Sequence, residues 1–148
     1  MRSVTASRTI AVAGSTAIEQ FLDVPSMSAW WGVARGLVDP RPGGVWALGW
    51  ELSPAGYRYV TTGRIVNFEP GARLLIADIV YFNPERPVLG PMQLSVTAAI
   101  APGGCELTVR QDGYRDGPDW DWLYKAVVDA WPATLDALKV HLEAGPNG

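Results

Sequence analysis

Between Gly36 and Asp112 apolar and polar residues alternate with a period of two. Trp46, Leu48 and Trp50 share one parity. Tyr57, Tyr59, Thr61, Gly63 and Ile65 continue it on a long segment. Leu74, Ile76, Val80 and Phe82 make another run, with Asp78 in its middle. Leu94, Val96, Ala98 and Ile100 form the next, and Leu107 with Val109 the last. A side-chain period of two belongs to half-buried strands. The runs are separated by Pro42-Gly43-Gly44, Ser53-Pro54-Ala55-Gly56, Glu69-Pro70-Gly71 and Pro102-Gly103-Gly104, which predicts antiparallel hairpins. Phe68 has the opposite parity from Ile65, which points to a bulge on the strand from Tyr57.

From Pro118 the period is 3.6. Trp120, Leu123, Val127, Trp131, Leu135, Leu138 and Leu142 make one stripe, with Asp121, Lys125, Asp129, Asp136, Lys139 and Glu143 on the other side. This predicts a long amphipathic helix, kinked near Val128 by Pro132 and stopped by Gly145-Pro146-Asn147-Gly148. At the other end, Thr9–Ala13 predicts a short strand. Thr16-Ala17-Ile18-Glu19 has the form of a capping box opening a short helix with Ile18, Phe21 and Leu22 on one face, ended by Pro25. Ser26 is the expected cap of a second short helix carrying Trp30 and Trp31. The expected fold is α+β: a curved antiparallel sheet of about six or seven strands, two short helices after the first strand, and one long C-terminal helix across the concave face. A single domain over residues 1–148 is expected. A helix laid over a strongly bent sheet leaves room for a cavity, and apolar concavities of this kind hold ligands.

Composition narrows the chemistry. One Cys and one His cannot build a four-ligand zinc site or an internal disulfide, and no EF-hand-like spacing of acidic residues occurs, so neither metal nor cofactor is expected. A net charge of −3 speaks against a duplex nucleic-acid partner. Residues Met1 to Arg8 lack the apolar core of a signal peptide, and no apolar run reaches the roughly 18 residues of a membrane span, so a cytoplasmic location is expected. Seven Trp and five Tyr point to an aromatic core or an aromatic-lined cavity.

Several segments together resemble the START/Bet v 1-like SRPBCC superfamily and, within it, the Hsp90-ATPase-activator-like (AHSA1-like) proteins. They are the short helix with Ile18 and Phe21; Trp30-Trp31 before Gly32; Asp39-Pro40-Arg41-Pro42-Gly43-Gly44-Val45-Trp46; Gly63-Arg64-Ile65-Val66-Asn67-Phe68-Glu69-Pro70 leading to Arg73-Leu74; Gly103-Gly104-Cys105-Glu106-Leu107-Thr108-Val109; and Trp131-Pro132-Ala133-Thr134-Leu135-Asp136-Ala137-Leu138. The resemblance implies the helix-grip fold, with a hydrophobic cavity between sheet and C-terminal helix. It implies no single activity, since relatives include lipid and hormone binders, polyketide cyclases and aromatases, and a co-chaperone domain.

The residues expected at the cavity are Trp30, Trp46, Trp50, Tyr59, Ile76, Asp78, Trp120, Tyr124 and Trp131. Asp78 interrupts an apolar strand face. If that face is internal, its carboxyl sits in an apolar setting, with Arg64 or Arg110 as a neighbouring cation. The acid/base candidates are Asp78, Glu51, Tyr59 and Arg64. No recognisable constellation links them, so the favoured function is binding of a small hydrophobic or aromatic molecule. The alternatives are a polyketide cyclase/aromatase-like or dehydratase-like enzyme in the same cavity, and an Hsp90 co-chaperone-like interaction domain. His141 is expected at the surface and Cys105 at a turn edge. The Pro-rich loop Asn83–Pro91 has an apolar tip at Val88 and Leu89, and is expected to be a lid over the cavity or a contact in a homodimer.

Overall fold

The computed structural model describes residues 2–144. Strand β1 (Ser3–Ile10) leads to helices α1 (Gly14–Glu19) and α2 (Val24–Trp31). Strands β2 (Val33–Val38), β3 (Val45–Ser53), β4 (Gly56–Glu69), β5 (Arg73–Phe82), β6 (Leu89–Ala101) and β7 (Gly104–Asp112) come next, and helix α3 (Pro118–Glu143) ends the described chain. All seven strands form one antiparallel sheet in the order β1-β7-β6-β5-β4-β3-β2. The expected class and element order therefore hold, with the two edges as the corrections. β1 begins at Ser3, where a strand was expected only from Thr9. Its Ser3, Thr5 and Ser7 face outward while Val4, Ala6 and Ile10 are turned inward, so a polar-looking segment is a half-buried edge strand. β2, the other edge, buries only Val33 and carries no alternation to read.

The first turns are also built differently from the expectation. Thr16 lies inside α1, whose N-cap is Ala13, so no capping box forms. Asp23, not Ser26, caps α2: its carboxylate accepts from the Ser26 backbone N–H at 3.0 Å and from the Ser26 hydroxyl at 2.6 Å. Pro25 therefore opens the second helix instead of closing the first. α3 continues through Pro132, and the expected stop at 145–148 lies outside the described residues.

The helix packs unevenly on the sheet. It lies close to β1 and α2 and stands off β3, β4 and β5. On the close side Leu135, Leu138, Ile10 and Leu107 are fully buried. Polar contacts cross the same seam. The Arg8 guanidinium donates to Asp136 at 2.6 Å, and Glu143 accepts from Lys139 and from the Ala11 backbone N–H, both at 3.0 Å.

Candidate functional site

Where α3 stands off the sheet there is a cavity of about 410 Å³. That is within the range of small-molecule sites, roughly 300–1,000 Å³. α2 supplies Trp31, β3 Trp46 and Trp50, β4 Tyr59 and Thr61, β5 Ile79 and Tyr81, β6 Met92 and Leu94, and β7 Gln111. The helix contributes Trp122, Leu123, Ala126, Val127, Ala130, Trp131 and Thr134. Ala126 and Ala130 are also solvent-exposed, so the cavity opens beside them.

Two aromatic groups form its ends. Trp31 is the hub of the first, with ring centroids 5.3 Å from both Trp50 and Trp131 and 6.2 Å from Trp46. The second runs from Tyr59 to Tyr81 at 6.2 Å and on to Trp122 at 6.3 Å. Most of the indole N–H groups at the first end are already engaged. Trp46 Nε1 donates to the Phe21 carbonyl at 2.8 Å, Trp50 Nε1 to the Trp31 carbonyl at 3.2 Å, and Trp131 Nε1 to Gln111 Oε1 at 2.9 Å. A buried indole needs such a partner. With it satisfied by the protein, these rings leave the cavity their carbon edges and π faces.

Four residues expected at the cavity, Trp46, Trp50, Tyr59 and Trp131, do line it. The other five lie elsewhere, each for a structural reason. Asp78 has a left-handed backbone (φ 54°) at a register break between Ile76 and Ile79, so β5 is bulged there. A bulge shifts the parity of the residues beyond it. Leu74 and Ile76 are inward before it; Ile79 and Tyr81 turn to the cavity after it, and Val80 and Phe82 turn away. Ile76 itself is fully buried in the core below the cavity. Gly63 on β4 makes room for the bulge, since a Cβ there would come within 2.8 Å of Ile76 and 3.0 Å of Ile79. Asp78 is left on the outer face, its side chain 61% exposed and paired with Arg64 at 3.0 Å. Arg64 was the expected cation, but the pair is on the surface and outside the cavity. Arg110 pairs instead with Asp112 at 3.5 Å. Glu51, also with positive φ (52°), is exposed beside Arg58. Of the four acid/base candidates, only Tyr59 touches the cavity.

Trp30 is buried between Phe21 and Trp31, stacked on the latter at 5.2 Å. Neighbouring helix positions point about 100° apart, so Trp31 takes the cavity. Trp120 and Tyr124 face the segment before α3, where Tyr114 meets them edge-on at 6.2 and 5.2 Å and Arg2 lies over the Tyr124 ring at 4.8 Å. Reading α3 as one stripe merges faces that the structure separates. The row Trp122, Ala126, Ala130 and Thr134, at spacing four, is the one the stripe missed. Trp31, Tyr81, Trp122 and Gln111 had no signal in the periodicity.

Burial raises the phenol pKa of Tyr81, so its hydroxyl stays neutral at ordinary pH; Asn83 Nδ2 lies 3.3 Å from it. Cys105 lies beside the β6–β7 turn, as expected, and is buried, and desolvation pushes its thiol up as well. His141 is half-buried on a second groove, between α2 and α3. Loop residue Arg86 places its guanidinium 3.9 Å above the Trp122 ring and 3.2 Å from Asp119. It thereby clasps the β5–β6 loop to the start of α3. Among the described residues, no group of three or more His, Cys, Asp or Glu is placed to hold a metal ion, and no helix is long and apolar enough to cross a membrane.

Comparison with known proteins agrees with this architecture. Solved structures of similar fold include a protein from Chromobacterium violaceum, with 20% identity, coverage of 95% of this chain and 96% of that one, and a TM-score of 0.73. Another, from Rhodobacter sphaeroides, has 20% identity over 97% and 93% of the two chains, with a TM-score of 0.76. An AHSA1 protein from Silicibacter pomeroyi has 18% identity over 97% and 99%, with a TM-score of 0.71. At these identities the likeness concerns the fold alone. No curated protein matches the chain. The family model described as Activator of Hsp90 ATPase homolog 1-like protein matches residues 19–143, most of the length, and the chain belongs to that AHSA1-like SRPBCC family.

Proposed function

We propose that the protein binds a small, uncharged, aromatic or otherwise apolar molecule between α3 and strands β3 to β7, without transforming it. The observation that carries this reading is the wall itself. It is built of Trp, Tyr and aliphatic side chains, and its polar members are hydroxyls, indole N–H groups and one amide. Apolar faces reward burial of apolar ligand area at roughly 25 cal/mol per Å², whereas an unpaired charge is costly to bury in such a place. Catalysis by proton transfer needs an acid or base within hydrogen-bond reach of the substrate. Asp78, Arg64 and Glu51 are all on the outside, which supports binding over a cyclase-like or dehydratase-like reaction. The loop after β5 acts as a lid. Arg86 does not line the cavity, but it holds Trp122, which does.

Native mass spectrometry of the purified protein, together with denaturing extraction, tests the reading. A stoichiometric, neutral, apolar molecule is expected. A protein that is empty, and whose melting temperature no panel of aromatic and lipid-like compounds moves, would contradict it and favour an interaction domain.

A further inference from the structure

We infer that Gln111 sets the specificity of the cavity, selecting an aromatic molecule that carries a neutral oxygen acceptor such as a ketone or quinone carbonyl. The inference rests on the binding function proposed for the cavity. The Trp131 indole nitrogen can only donate, so the atom of Gln111 that it meets at 2.9 Å must be the amide oxygen. This fixes the amide, and its Nε2 is turned to the opposite side. There one N–H meets Met92 Sδ at 3.6 Å, a weak acceptor, and among the described residues no oxygen accepts from Nε2. Gln111 and Met92 both line the cavity.

The other polar groups on the wall are the hydroxyls of Tyr59, Thr61, Tyr81 and Thr134 and the indole N–H groups of Trp31 and Trp122. A hydroxyl rotates to donate or accept, so it discriminates little between ligands. Gln111 is locked as a donor by Trp131, and it sits on an interior strand, paired with Val4 on β1 and Leu94 on β6. A site with a fixed donor rejects an analogue that lacks the acceptor. No ionised side chain lines the wall to balance a carboxylate, so the matching acceptor is a carbonyl or ether oxygen.

The test uses 9-fluorenone and fluorene, two planar molecules of nearly the same shape that differ by the carbonyl. Each competes with the neutral fluorescent probe N-phenyl-1-naphthylamine on the wild type, Gln111→Leu and Gln111→Met. The ratio of fluorenone to fluorene affinity is expected to be about 3- to 10-fold higher in the wild type than in either variant, the worth of one neutral hydrogen bond. Fluorene affinity itself should stay within about twofold, which shows that the wall survives the loss of the Trp131 partner; Met, close to Gln in volume, guards against a Leu variant that folds poorly. An unchanged ratio with both compounds still bound would overturn the role of Gln111 and leave the cavity reading standing. If neither compound displaces the probe, or if the probe binds equally well when Val127→Trp fills the cavity, the binding reading fails and takes this inference with it.

Discussion

The two halves of α3 do different jobs against the same sheet. The C-terminal half, around Leu135 and Leu138, packs on β1 and α2, with no exposure left at either leucine. The N-terminal half faces β3, β4 and β5 across a space of about 410 Å³. Close packing is the rule inside proteins, so an apolar gap beside a tight seam marks a place where stability has been given up. The seam secures the helix, and this leaves the Trp122, Ala126, Ala130 and Thr134 row free to line a site.

The strongest way to break this contrast is to cut one aliphatic side chain in each half. Leu135→Ala should lower unfolding stability by about 2–5 kcal/mol, since the surrounding core cannot collapse onto the hole. Val127→Ala, on the cavity wall, should cost under about 1 kcal/mol, because its side chain already borders empty space. Urea denaturation of both variants reads the difference. Filling is the converse. Val127→Trp should weaken N-phenyl-1-naphthylamine binding by at least about tenfold, while its urea midpoint stays near that of the wild type.

The seam also carries an acid-side pH dependence that the cavity lacks. The Arg8 hydrogen bond holds the Asp136 carboxyl below its ordinary range, and Lys139 together with the Ala11 N–H does the same for Glu143. A lowered folded-state pKa stabilises above the unfolded value, near pH 4. That contribution is lost as pH falls through the lower folded values. The urea midpoint should therefore drop from pH 5 to pH 2.5, and less steeply in the Asp136→Asn, Glu143→Gln double variant. Both carboxylates are exposed, so the effect is modest.

The proposed lid should register mainly in rates. Arg86→Ala removes the cation above Trp122 and the pair with Asp119. Stopped-flow dissociation of the probe should quicken about threefold, with a smaller change in affinity. The smallest effect is expected at Asp78. Asp78→Ala should leave probe affinity unchanged, because the bulge has turned that carboxylate to the outer face.

Much of the fold was legible in the alternation from Gly36 to Asp112 and in the 3.6 period after Pro118. Turn glycines and an unbroken apolar stripe are local signals. The cavity wall was legible only where parity runs true, as on β3 at Trp46 and Trp50. It was lost where a single residue changes the parity. Asp78 looked inward because Leu74, Ile76, Val80 and Phe82 share its spacing, and nothing in those residues announces a left-handed backbone at position 78. Tyr81 was lost for the same reason. Gln111 is a different case: its role depends on Trp131 and Met92, which are brought together only by the tertiary fold.

The division of labour along α3 is that one half covers the cavity and the other secures the helix. Equilibrium titration of the wild type and Val127→Trp with N-phenyl-1-naphthylamine, alongside the urea midpoint of each, tests it most directly. This division predicts saturable one-to-one binding to the wild type, its loss by at least about tenfold in the variant, and closely similar midpoints. Equal binding to both proteins would contradict it, as would a variant that unfolds as readily as Leu135→Ala.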